Sequence, residues 1–109
     1  RQTVVLTGTG QLQSLVVDNT ANPTTGTATN ITKINIMNIF AMSSAANADI
    51  KIYNETGSAT AKNLVYHGKF GAAADAVHEF KLPGAGIYCD DGAYAVLTNI
   101  DFFYVVGTF

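Results

Sequence analysis

Apolar and polar residues alternate with a period of two along most of this chain, and turn-forming residues break the alternation about every ten positions. Thr3-Val-Val-Leu-Thr7 is rich in β-branched residues and closes on Gly8-Thr-Gly10. Leu15-Val-Val17 is a second short run. The segment from Asn19 to Asn30 carries no large apolar side chain, which predicts an exposed loop or an irregular edge. From Ile31 to Met42 the alternation is clearest. Ile34, Ile36, Phe40 and Met42 fall on one face with Asn38 interrupting them, and Lys33 and Asn35 fall on the other. At about 3.3 Å per residue such a strand is long for a small sandwich, so a bulge or bend is expected near Asn38.

The same pattern continues to the C-terminus. Ile50 and Ile52 alternate with Lys51 and Tyr53 before the turn Asn54-Glu-Thr-Gly57. Leu64, Tyr66 and Phe70 alternate with Val65, His67 and Lys69, and His78, Phe80 and Leu82 with Val77, Glu79 and Lys81. Ile87-Tyr-Cys89 and Tyr94-Ala-Val-Leu97 flank Asp90-Asp91-Gly92, which predicts a hairpin because Asp-Gly tolerates positive φ. Phe102-Phe-Tyr-Val-Val106 barely alternates and is expected to be buried on both faces.

Helical signal is confined to Gly71-Ala-Ala-Ala-Asp-Ala-Val77, too short for a stable helix. Eight or nine short strands follow, in an all-β antiparallel β-sandwich or jelly roll. The residues expected inside are Ile34, Ile36, Phe40, Ile50, Ile52, Leu64, Phe80, Leu82, Ile87, Val96, Phe102 and Val105.

Size and charge narrow the function classes. The 109 residues, 11.5 kDa, suit one domain spanning residues 1–109. Surface scaling expects roughly 5,800 Å² exposed once folded, enough burial for one core without disulfides or metal. Only 13% of the residues are charged while 48% are hydrophobic. That imbalance points to a surface partly covered by neighbours, although abundant Thr, Asn and Ser provide an uncharged polar coat. Six scattered basic residues against eight acids give no electrostatic footprint for nucleic acid. No run approaches a membrane span and no secretion signal opens the chain, so no membrane partner is expected. Cys89 is the sole cysteine, which excludes an intrachain disulfide and is compatible with a reducing cytosol.

The chemistry-bearing residues fail their spacing tests. Cys89, His67 and His78 are the candidates for a nucleophile–base pair or a zinc site, but the two histidines lie eleven residues apart on separate strands with no Cys-x-x-Cys or His-x-x-x-His. Asp90, Asp91 and Asp101 lack the alternating acidic ligands of a calcium loop. Neither Gly8-Thr-Gly10 nor Gly84-Ala-Gly86 leads into a helix, as a phosphate cradle would. The four serines Ser14, Ser43, Ser44 and Ser58 occupy no Gly-x-Ser-x-Gly elbow. Glu55 in a turn and Glu79 on an outward face do not make a glycosidase pair. Expected are no catalytic, cofactor-binding or metal residues, no cofactor, and no enzyme. Tyr53, Tyr66, Tyr88, Tyr94 and Tyr104 keep a sugar-stacking role open.

The C-terminal half carries an ordered set of motifs. Val65-Tyr-His-Gly68, Leu82-Pro-Gly-Ala-Gly-Ile-Tyr88, Asp91-Gly-Ala-Tyr-Ala-Val96, Thr98-Asn-Ile-Asp101 and Val105-Val106 follow in that order. Over residues 64–109 this resembles small β-sandwich structural proteins of tailed bacteriophages, including marine and cyanobacterial phages. The resemblance implies a virion component made in the host cytoplasm, most simply a capsid decoration (cement) protein. It implies a homo-oligomer, often a trimer, touching the major capsid protein or other virion proteins. The alternative is a receptor- or glycan-binding fibre or adhesin module, with Asn19–Asn30 as its recognition loop.

Overall fold

β-branched and aromatic runs from distant parts of the chain pair antiparallel, and their pairing sets the architecture. The computed structural model describes residues 2–6, 9–17, 26–70 and 77–108. The strands are β1 (Gln2–Leu6), β2 (Gly10–Gln11), β3 (Gln13–Val17), β4 (Gly26–Asn30), β5 (Ile34–Ser43), β6 (Ala48–Tyr53), β7 (Leu64–Phe70), β8 (Val77–Lys81), β9 (Ile87–Cys89), β10 (Tyr94–Thr98) and β11 (Ile100–Thr108). A single 3₁₀ turn at Ala61–Asn63 precedes β7.

A first sheet runs β1-β11-β5-β8, with β9 also paired to β5, and a second runs β2-β10-β6-β7. Taken position by position, the two orders set chain neighbours side by side: β1 with β2, β11 with β10, β5 with β6, β8 with β7. This is the winding of a jelly-roll sandwich. The two sheets bury one continuous cluster that includes Ile34, Ile36 and Phe103 from the first and Ile50, Ile52 and Ala95 from the second. The accessible surface is 5966 Å², close to the size-based expectation.

Two bulges decide which residues face that core. Val106 pairs with Asn38 and Gly107 with Ile36, so Met37 is the extra residue on β5. The expected irregularity near Asn38 is therefore real, and it reverses the inward face beyond it. Ile34 and Ile36 point in before the bulge, and Ile39, Ala41 and Ser43 point in after it. Phe40, expected inside, is turned to the outer face and half-buried. At the other end of the same ladder, Ile100 pairs with Ser43 and Phe102 with Met42, leaving Asp101 as the extra residue on β11. Phe103 and Val105 are completely buried as a result, and Phe102, also expected inside, is exposed. The strand thus alternates rather than being buried on both faces. Gly107 sits where a Cβ would lie 2.4 Å from the Asn35 carbonyl oxygen, so the strand backbones approach there only because the side chain is missing.

Other expected core positions move for similar reasons. Ile52 pairs with Tyr66 and Tyr53 with Leu64, so Val65 is an extra residue on β7 and Leu64 lands outside. Val96 pairs with Lys51 on the outer face of the second sheet, while Ala95 and Leu97 face Ile52 and Ile50 inside. Phe80, Leu82 and Ile87 pack against the core while half-buried.

Two local expectations are corrected. Gly26–Asn30, part of the segment from Asn19 to Asn30 read as an exposed loop or an irregular edge, is strand β4 paired to β3; residues 19–25 lie outside the described residues, as do residues 71–76 of the alanine-rich stretch. Asp90-Asp91-Gly92 does not close a hairpin. β9 pairs with β5 in the first sheet and β10 with β6 in the second, so the segment carries the chain from one sheet to the other. Positive φ is used there, at Gly92, but for a crossover.

The β11 phase gives a direct test. Phe103→Ala should cost about 3–5 kcal/mol in chemical denaturation. Phe102→Ala should cost no more than about 1.5 kcal/mol, the value of an aromatic contact at a partly exposed site. Equal losses would place the Asp101 bulge wrongly.

Candidate interaction surface

The bulges that fill the core also assemble an apolar outer face. Between Met37 and Asp101, the outward positions of β5 and β11 are Phe40, Met42, Phe102, Tyr104 and Val106, with Asn38 as the polar member. Cross-strand partners lie on one side of a sheet, so β8 extends this face with Val77 beside Met42, Glu79 beside Phe40 and Lys81 beside Asn38. Phe40 meets Tyr104 edge-on with ring centroids 5.3 Å apart, and Phe102 stacks beside Tyr104 at 6.2 Å. Val77 is 68% exposed and Phe102 36%. Beyond the Met37 bulge, Tyr88, paired to Asn35, prolongs the same face and is 59% exposed.

The outer face of the second sheet is different in kind. Asp49, Lys51, His67 and Lys69 project from β6 and β7, and Asp49 Oδ1 lies 2.7 Å from His67 Nε2. The outer face of the second sheet is the more charged of the two, while that of the first presents aromatic rings.

The candidate chemical groups are dispersed. His67 is on the outer face of the second sheet, and His78, opposite Ala41 on β8, belongs to the inner side of the first and stacks on Phe80. Cys89 is fully buried opposite Ile34. Burial pushes its thiol up to about 11, and the neighbouring Asp90 carboxylate acts in the same direction. Asp90 and Asp91 precede β10 while Asp101 follows it, so they stand at opposite ends of that strand. Among the described residues, no three His, Cys, Asp or Glu side chains gather as a metal site requires. No ligand-sized pocket is present among them, and no helix is long and apolar enough to cross a membrane. The tyrosines form no common platform. Tyr88 and Tyr104 lie outside the first sheet, Tyr53 and Tyr94 pair outside the second, and Tyr66 packs on the core.

At the Asp90–Gly92 end, the Asp90 carboxylate and the Asp91 backbone fasten loops. Asn54 accepts from the Asp91 N–H at 2.9 Å and donates to Asp90 Oδ1 at 2.8 Å. The Thr56 hydroxyl donates to the Asp91 carbonyl at 2.7 Å, and Gln11 accepts from the Gly57 N–H while donating to the Ala93 carbonyl. A Cβ on Gly92, whose φ is +97°, would lie 2.6 Å from Thr56 Oγ1. Glu55 accepts from the Ser58 hydroxyl and from both the hydroxyl and N–H of Thr60. These bonds, the Ser58 one foremost, hold its carboxyl from the ordinary 4.5 down to about 2.

No family model, curated protein or solved structure matches the chain.

Two outcomes follow from these environments. Native Cys89 should react with a disulfide reagent at neutral pH more than about a hundredfold slower than the denatured chain; comparable rates would show the thiol to be accessible. Because the Glu55 carboxyl is depressed, its contribution to stability is present above pH 4.5 and is lost as pH falls through about 2. Denaturation midpoints of wild type and Glu55→Gln should therefore differ most at neutral pH and converge across that window. A gap independent of pH would mean that the loop does not depend on the ionised carboxylate.

Proposed function

We propose that this chain is a structural subunit of a tailed-phage virion, a capsid decoration protein that binds the particle through the outer face of its first sheet. The observation that carries this reading is the aromatic face of Phe40, Phe102 and Tyr104, continued by Met42, Val77 and Tyr88. Partly exposed aromatic and Met side chains clustered on one rigid face are characteristic of protein contact surfaces. The motif order through residues 64–109 supports the virion context, and the major capsid protein is the partner proposed.

The jelly-roll winding fits this role without selecting it, since the same winding carries capsid, lectin and cupin domains. The argument therefore rests on the surface. A sandwich stiffened by cross-sheet loop ties presents that surface pre-organised, which limits the ordering cost of binding. Binding through apolar contacts also depends little on ionic strength, unlike a contact between charged faces.

The test is co-sedimentation of the purified chain with heads assembled from the major capsid protein of the genome that encodes it. Saturable binding and heads more resistant to heat are expected. Phe102→Asp should weaken binding by about tenfold or more while leaving the chain folded by circular dichroism. Heads that bind no chain at all would overturn the proposal, as would undiminished binding by a folded Phe102→Asp protein.

A further inference from the structure

One end strand of the first sheet carries a self-complementary sequence. Among the described strands, β8 pairs with β5 alone and ends the sheet. The Leu82 N–H donates to the Met37 carbonyl, so by alternation the backbone groups of Phe80 and His78 also face β5. Those of Val77, Glu79 and Lys81 then face away from the sheet. Their side chains lie on the outer face and are exposed. An edge of this kind is a template for another strand.

From this geometry we infer that β8 pairs antiparallel with β8 of a second copy of the chain about a two-fold axis at Phe80, joining the two first sheets into one. In this register Glu79 of each copy stands directly opposite Lys81 of the other, in a pair that exchanges both of its backbone hydrogen bonds. The ion pair occurs once on each side of the axis. Of the other two-fold registers that use the same backbone groups, those centred on Glu79 and on Lys81 set like charges against each other, which is destabilising, and the one centred on His78 sets Glu79 against Val77 with no ion pair. Charge therefore selects the register. It also selects the strand, because β7, which ends the second sheet, carries Lys69 and His67 and no acid, so it has no such self-complement.

The pairing stands on the β8 edge and not on the virion reading, and it is read by mass rather than by capsid binding. It predicts two-fold association, distinct from the trimer that the phage resemblance implies. Sedimentation of the whole chain over a concentration series is expected to show a monomer–dimer equilibrium. E79K sets lysine against Lys81 of the second copy, and K81E sets glutamate against Glu79. Each substitution should weaken dimerisation by about tenfold or more, from two like-charge contacts. Mixing the two variants should restore the dimer as a heterodimer, because every opposed pair is then complementary, and the double variant E79K/K81E should restore it alone. Restoration also shows that the single variants are folded. A chain still monomeric at about 1 mM, a trimer mass, dimerisation insensitive to K81E, or a mixture that fails to recover would each overturn the inference.

Discussion

Everything else in this molecule depends on the phase of one ladder, the pairing of β5 with β11. A strand offers alternate residues to each face, so a strand that changes its inward parity must gain or lose a residue. Here each of the two central strands carries one extra residue, Met37 on β5 and Asp101 on β11, at opposite ends of the shared ladder. The magnitudes explain why the irregularities are kept. A bulge interrupts one or two ladder hydrogen bonds, each contributing about 0.5–1.5 kcal/mol net. Without the Met37 bulge, either Ile34 and Ile36 or Ile39 would be turned out of the core, at about 1.5–3 kcal/mol for each large side chain. Burial wins, and the backbone bends to it.

The winding then makes its own demands. Half of the connections carry the chain between the first and second sheets, and each crossing leaves backbone groups outside the ladders. Neutral polar side chains meet them. Asn99 adopts φ 55° and donates to the Ala46 carbonyl, while its own carbonyl accepts from the Ser44 N–H at the turn into β6. Gln11, Asn54 and Thr56 do the same at the opposite end. Asn54, Thr56 and Asn99 are therefore structural members of the Thr- and Asn-rich composition. A low charge density here reflects fastening by amides and hydroxyls.

How much of this was legible in the sequence follows from which rules are local. Alternation locates the strands and the sandwich class, and Ile34, Ile36, Ile50 and Ile52 are buried as their periodicity implies. The length of the Ile31–Met42 run even signalled the bulge. Its consequence was not legible, because a one-residue insertion flips every later side chain, and only the partner strand reveals where the insertion falls. Phe40 reads as core for that reason, and Phe102 because a run as apolar as Phe102–Val106 reads as buried on both faces. The interior also selects small residues that alternation alone ranks low. Ala95 is buried where Val96 was expected, because it stacks inside against Ile52. Likewise, Asp-Gly reports a positive φ and says nothing of which sheet the next strand joins. The candidate surface was illegible for the same reason, since its aromatics share a face only after both bulges are placed.

The sandwich therefore has an asymmetry that a stability argument alone does not require. Either outer face is free to carry charge, yet the second sheet carries it across β6 and β7, through Asp49, Lys51, His67 and Lys69, while the first confines it to Glu79 and Lys81 on β8. The first exposes rings and methyls next to an edge strand whose two charges are opposite in sign. The edge and the face act together. Pairing β8 with itself is isologous, so it consumes the edge in one step and closes at two copies. Pairing β8 with a different strand of the next copy would be heterologous, leave a free edge at each end, and continue into a fibre. Opposed charges two residues apart on one edge favour the closing arrangement, because across a two-fold both pairs are satisfied at once. In that arrangement the outer faces of both first sheets lie on the same side of a continuous sheet, doubling the aromatic surface without opening a route to aggregation.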